Sequence, residues 1–395
     1  MQLPQWEVAD LIRVAGPEFI ERNRYWITAQ HLKVFRAIQR CRTAALGGHL
    51  DECPYCGYST TSFNSCRDRH CPKCQAHARE RWLEARRREL LPTSYVHVVF
   101  TVPRELTSLA LQNKKLFYDL LFHASAETLQ TVAADPKHLG AEIGFFSVLH
   151  TWTQKLEYHP HIHCVVPAGG LSSDHTQWIR PRYRFFLPVK VLSRVFRGKF
   201  VAALKRAFSS HQLTFHGKLK LLADPKTFAA FLRPLFRHEW VVYCKPPFGG
   251  PEHVLKYLGS YTHRIAISNH RLISLDQDRV TFRWRDSAHG NKQRTLTISV
   301  TEFLRRFLLH VLPHRYVRIR HQGFLANRRR ASVLPLCLAL LTTASMLAPT
   351  ATRTVSPPAS WTCPHCGATM VVVERLTSAQ LFLRSPPQPA VGKPS

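Results

Sequence analysis

Tyr158-His159-Pro160-His161-Ile162-His163-Cys164-Val165-Val166-Pro167 is the stretch on which the reading of this chain turns. From His161 onward it is rich in β-branched residues and closes on a proline, so it reads as a strand. Successive side chains of a strand point to opposite faces, which puts His161 and His163 on one face and Ile162 on the other. The isoleucine then belongs to a core, and the two imidazoles make half of a site for a divalent metal ion. Such an ion would polarise a phosphate as a Lewis acid. A complete site needs further ligands, for which His159, Gln154 and His263 are candidates. With 23 histidines in 395 residues, a bare His-x-His pair arises by chance. Three histidines at alternate positions lift this one above that background.

The surroundings support a sheet. Tyr95–Val102 and Ile143–Thr153 read as strands, and Trp240–Cys244 as a short one; Leu106–Val132 and Val189–Phe208 read as helices. Mixed in this order, they predict an α+β domain between about residues 94 and 270. Upstream, Ile27, His31, Val34, Phe35 and Ile38 recur at helical spacing, so residues 1–40 read as helical, and Arg79–Leu91 as a basic amphipathic helix. Downstream, alternation in segments such as Arg279–Arg285 suggests a small β element. The expected organisation is a helical and zinc-binding domain over 1–92 and a catalytic domain over 93–270. A basic accessory region follows over 271–330, then an apolar segment and a Pro-rich tail over 331–395. From Thr350 the composition predicts poor order.

Pro251–Arg264 reads as a helix with proline in its first turn. Tyr257 and Tyr261, four residues apart, share one face with roughly 5–6 Å between Cβ atoms. Two phenols so placed can act as nucleophiles in succession, each forming a phosphotyrosine and releasing a 3′-hydroxyl. Val254, Leu258 and Ile265 lie on or beside the same stripe, so a core role competes. Gly259 between them costs a helix about 1 kcal/mol, which points to a close approach there.

The cysteines point to metal. Cys53-Pro-Tyr-Cys56-Gly57 and Cys71-Pro-Lys-Cys74 are two knuckles fourteen residues apart. Each turn presents two thiolates, and together they predict one tetrahedral Zn²⁺ site. Cys66 and His70, with Cys41 and His49 just before, are candidates for a second site. Cys363-Pro-His-Cys366-Gly367 is a lone knuckle, with Cys337 and His365 its nearest helpers. Zinc here would be structural. Met1–Gly16 has no apolar core of a signal peptide, so clustered thiols argue for metal in a reducing compartment over disulfides.

Lys and Arg total 55 against 25 Asp and Glu, a formal net charge of +30. That excess favours a polyanionic partner, nucleic acid above all, with strongly salt-dependent binding. Val333–Ala348 is apolar, but Pro335, Thr342, Thr343 and Ser345 interrupt it. It reads as a buried helix or docking segment, and no stable membrane association is expected.

Taken together, CRTAALGGH (41–49), NSCRDRHCPKC (64–74), YHPHIHCVVPAGG (158–170) and YLGSYTHRIAISNH (257–270) resemble the two-tyrosine HUH transposases of the insertion-sequence ninety-one family. The resemblance implies an α+β HUH-type nuclease domain, an antiparallel sheet flanked by helices, preceded by a small helical and zinc-binding domain. It implies that His161 and His163 hold Mg²⁺ or Mn²⁺, that Tyr257 and Tyr261 are the nucleophiles, and that the N-terminal cysteine block binds structural Zn²⁺. The partners implied are single-stranded DNA at transposon ends and target DNA, in the bacterial cytoplasm at the nucleoid. The reaction implied is rolling-circle transposition through a 5′-phosphotyrosine link. The resemblance thins after residue 330. The rival readings are a related HUH replication initiator or relaxase, and a zinc-dependent DNA-binding regulator without catalysis. The regulator accounts for charge and cysteines but leaves the His and Tyr motifs as coincidences. A carboxylate-triad transposase is disfavoured, because no Asp/Glu cluster stands out.

Overall fold

Two helices open the chain, α1 (Val8–Arg22) and α2 (Ala29–Arg40), in a computed structural model that describes residues 4–182, 185–244, 259, 266–286, 289–343 and 361–384 (75–78 by backbone alone). The helical spacing read in the sequence is the buried face of α2, with His31, Val34, Phe35 and Ile38 turned inward. Thr28 caps that helix: its hydroxyl accepts from the His31 N–H, and its own N–H donates to His31 Nδ1 at 3.1 Å. A hairpin of β1 (Gly48–Glu52) and β2 (Ser59–Phe63) follows, then α3 (Gln75–Arg87).

The central elements are β3 (Tyr95–Thr101), α4 (Thr107–Gln112), α5 (Lys114–Ala134), β4 (Gly144–Trp152) and β5 (Tyr158–Pro167). After them come the small pair β6 (Gly170–Leu171) and β7 (Trp178–Ile179), then α6 (Val189–Ser209), α7 (Pro225–Leu232) and β8 (Val242–Cys244). A meander of β9 (Leu272–Asp276), β10 (Arg279–Asp286) and β11 (Lys292–Ser299) leads into α8 (Val300–Leu309). Last are β12 (Ile319–Gly323), α9 (Asn327–Thr343), β13 (Val371–Leu376) and α10 (Ser378–Arg384).

β12, β4, β5, β3 and β8 lie in that order in one antiparallel sheet. Its two faces differ. Val98, Phe100, Phe145, Leu149, Ile162, Cys164 and Val166 point into the main core, where α5 and α6 bring Phe117, Leu121, Phe196 and Phe200. Ile162 is fully buried there, as the alternation requires, a contribution of roughly 1.5–3 kcal/mol. On the opposite face Tyr95, Phe146, Val148 and Val165 pack with Leu90, Trp82, Leu83 and Ile319. Helix α3 therefore packs on the face that carries His161 and His163, against Phe146, Val148 and Val165.

Residues 271–330 join two bodies. Val280, Phe282, Phe303 and Phe307 share a core with Val8, Leu11, Phe19 and Phe35 of the N-terminal helices. β12 then returns to the edge of the central sheet beside β4. The apolar run is α9, whose Leu334, Cys337 and Leu341 are buried with Leu91, Leu171 and Phe324. Among the described residues no helix is long and apolar enough to cross a membrane. One expectation needs correction. Residues 361–384, read as poorly ordered from composition, form a strand and a helix, and β13 pairs antiparallel with β1 at the far end of the chain. Backbone pairing supplies what the composition lacks.

Candidate metal centres and the face that carries them

Register decides the histidine site. β4 places His150 opposite His161 and Val148 opposite His163, while β3 places Val99 opposite His163. Even positions of β4 and odd positions of β5 share one face. The ligand nitrogens of His150, His161 and His163 consequently lie within 4.8 Å of one another. Each ring is held from behind. Nδ1 of His161 donates to the carbonyl oxygen of His159 at 2.7 Å, which leaves Nε2 as the lone-pair nitrogen. Nδ1 of His163 meets Nε2 of His97 at 2.8 Å, with both residues buried. His150 stacks on Trp152 with ring centres 4.6 Å apart. Imidazoles held through their far nitrogen are the usual support for a metal ligand. Three neutral donors on one wall of a sheet also leave positions open for substrate oxygens.

Of the candidates for the further ligand, His159 serves the site through its carbonyl, and Gln154 lies beyond β4, where its carbonyl accepts from Arg271. His263 lies outside the described residues. His150 stood inside a strand that sequence reading recognised, but its partnership depends on cross-strand register, which that reading did not reach.

Tyr257 and Tyr261 also lie outside the described residues. Gly259, midway between them, is described. It is buried, and a Cβ built there would sit 2.9 Å from Leu83 Cδ1 and 3.3 Å from Arg79 Cδ. The close approach expected at this glycine is real, and α3 makes it. Trp82 and Leu83 of the same helix pack on the histidine face, Trp82 edge-on to Phe146 at 6.0 Å. The chain at Gly259 is thus layered on the helix that packs on the histidine-bearing face beside Phe146, Val148 and Val165. Arg81, Arg87 and Arg88 of that helix and its end are exposed.

The expected tetrad of Cys53, Cys56, Cys71 and Cys74 does not form. Cys71 and Cys74 close with Cys41 and Cys66, while Cys53 and Cys56 close with Cys363 and Cys366; each set has its four sulfurs within 4.8 Å. In the first, Cys41 and Cys66 stand 3.5 Å from Cys74. In the second, Cys53–Cys366 and Cys56–Cys363 are 3.5 and 3.6 Å apart. A zinc–sulfur bond near 2.3 Å puts tetrahedral sulfurs about 3.8 Å apart, so both sets fit the ion. The reason for the exchange is topological: the first knuckle ends the β1–β2 hairpin, whose free edge is taken by β13, whereas the second leads straight into α3. Hydrogen bonds from Cys41, Cys66 and Cys71 pull the Cys74 thiol well below its ordinary range, and contacts with Cys41, Cys66 and Cys74 push Cys71 up. Crowded thiols divide a charge in this way, and a divalent cation lets all four ionise.

The remaining candidates have other work. His70 pairs through Nδ1 with Asp68 at 2.9 Å and accepts from the Leu312 N–H; burial pushes its pKa down. His49 faces Asp51, His365 stacks on Tyr58, and Cys337 stays inside the α9 cluster.

Residues 144–332 match the family described as "Putative transposase", and residues 11–102 the one described as "Transposase zinc-binding domain". The chain is 54% identical over 351 residues to "Putative transposase y4qJ" of Sinorhizobium fredii, which covers 89% of this chain and 87% of that protein. It is 28% identical over 341 residues to "Transposase for insertion sequence element IS801" of Pseudomonas savastanoi pv. phaseolicola, covering 82% of this chain and 77% of that protein. Among solved structures, the metal-bound conjugative relaxase TrwC in complex with oriT DNA aligns with a TM-score of 0.24 and 17% identity. That alignment covers 28% of this chain and 42% of the other, too slight a likeness to bear on the fold.

Proposed function

The chain belongs to the insertion-sequence ninety-one family of transposases, and from that premise we propose that it cuts and transfers single DNA strands at element ends through tyrosine nucleophiles. The observation that carries the reading is the grouping of His150, His161 and His163 on the sheet face where α3 also packs, the helix against which Gly259 of the Tyr257–Tyr261 segment rests.

These three imidazoles would hold a divalent ion, in this reading Mn²⁺ or Mg²⁺ with oxygen donors at its remaining positions, which when bound would polarise the scissile phosphate and stabilise its developing charge. His97 and the His159 carbonyl hold His163 and His161 in one orientation, so the ligands need no rearrangement. The phenolic oxygen of Tyr257 or Tyr261 attacks phosphorus, forming a 5′-phosphotyrosine. The bond to the 3′-oxygen breaks, the phenol's proton is lost to solvent, and the leaving oxygen takes one up as a free 3′-hydroxyl. The second tyrosine repeats the step on another strand, and a 3′-hydroxyl reverses it to join the ends. The net charge of +30 provides for the phosphate backbone. In this reading the Cys41–Cys66–Cys71–Cys74 set carries a structural zinc and anchors the start of α3.

Incubation with single-stranded oligonucleotides of the element end and Mn²⁺ or Mg²⁺ tests the proposal. A covalent protein–DNA adduct is expected that disappears when Tyr257 and Tyr261 are both Phe. An adduct that survives the double substitution sinks the nucleophile assignment. Undiminished DNA binding with no adduct under any metal favours the non-catalytic regulator.

A further inference from the structure

We infer that this protein carries a second, separate tetrathiolate zinc site, built from knuckles at opposite ends of the chain, which fastens the C-terminal segment to the N-terminal hairpin. Its ligands are Cys53, Cys56, Cys363 and Cys366. The two halves are built alike. In each, the first cysteine N–H donates to the carbonyl five residues on (Cys53 to Tyr58 at 2.8 Å, Cys363 to Ala368 at 2.7 Å). In each, the following glycine N–H donates back to that cysteine's carbonyl at 2.9 Å, with Gly57 at φ 69° and Gly367 at φ 75°. These are paired turns that aim two sulfurs apiece at one point, the requirement of a closed structural site.

Disulfides do not account for the arrangement. All four sulfurs crowd together, Cys53 stands 3.5 Å from Cys366 and Cys56 3.6 Å from Cys363, and a disulfide needs about 2.05 Å. Apolar packing does not account for it either. Around the thiols the core is Cys53, Cys363 and Met370 with Tyr58 and Ala368 beside them, and Leu376 and Leu381 are the apolar anchors farther along the docked segment. Val371, Val372 and Val373 of the docked strand are 44, 54 and 49% exposed. A strand that buries so little needs another hold, and small folds lacking a core are stapled by metal. Cys56 and Cys363 lie 307 positions apart, so this link closes a very long loop, and the loop-closure cost grows only slowly with length.

Metal analysis of the purified full-length protein decides the matter. Two zinc ions per chain are expected; Cys363→Ser/Cys366→Ser and Cys53→Ser/Cys56→Ser should each remove one, leaving the Cys41 set loaded. Wild-type protein with one zinc, or a Cys363→Ser/Cys366→Ser variant that keeps two, would overturn the site. A second measurement needs no cysteine change. A protease site inserted between Ser356 and Pro357 is cut, and the released piece should co-elute with the body until a chelator strips the metal. A piece that separates while zinc is still bound would count against the fastening.

Discussion

The histidine face and the thiol clusters are both shaped for a metal, yet they stand in opposite relations to the fold. The imidazoles sit on a sheet whose other face is already filled by α5 and α6, so the framework precedes the site. The cysteines sit at helix ends, in turns and beside short strands, and there the ligands join the pieces of the framework to one another. Between the clusters themselves there is a further contrast. Cys41, Cys66, Cys71 and Cys74 belong to the core shared by α1, α2 and α8, whereas Cys56 and Cys366 are exposed. A metal lost from a finished framework should cost reaction rate; a metal lost from an unfinished one should cost structure.

Cys41→Ser combined with Cys74→Ser gives the strongest test. It should destabilise the N-terminal module by 3 kcal/mol or more on the order of zinc-site energies, seen as a large fall in Tm and loss of one zinc. An unchanged melting curve would erase the contrast. The histidine side comes next. His150→Ala, His161→Ala and His163→Ala should each reduce metal-dependent adduct formation by about 100-fold or more, roughly 2.7 kcal/mol, while Tm and zinc content stay near wild type. Loss of folding in all three would show that the imidazoles also build the sheet. His97→Asn should weaken Mn²⁺ affinity by about 10–100-fold and be partly rescued by excess Mn²⁺, which a purely structural role would not permit. The smallest effect is expected at Gly259. An added methyl meets the mobile end of Leu83, so Gly259→Ala should change stability by no more than about 1 kcal/mol, while Gly259→Leu should lower adduct yield without changing metal content.

What was legible in the sequence was local. The alternation in His161–Ile162–His163 set which side chains share a face, the spacing from Ile27 to Ile38 set the buried side of α2, and a costly glycine at 259 announced its neighbour. What escaped depended on pairing across distance. His150 joins the site through the β4–β5 register, which shifts between His150 and Trp152. The knuckles are chemically interchangeable, so nothing in their spacing says which two close together; the β1–β13 pairing selects them. Residues 361–384 lie in a Pro-, Ser- and Thr-rich tail read as poorly ordered, because composition does not count a strand supplied by the other end of the chain.

Helix α3 begins at Cys74, a member of the buried thiol cluster, and thirteen residues later ends beside the central sheet. At 1.5 Å per residue it is a rod about 20 Å long. One end is pinned by sulfur, and its flank touches both the sheet and Gly259. A rod pinned this way behaves as a lever. Losing a thiol at the pin would loosen the helix that packs on the histidine-bearing face, so damage at the cysteines should be felt on that face as well.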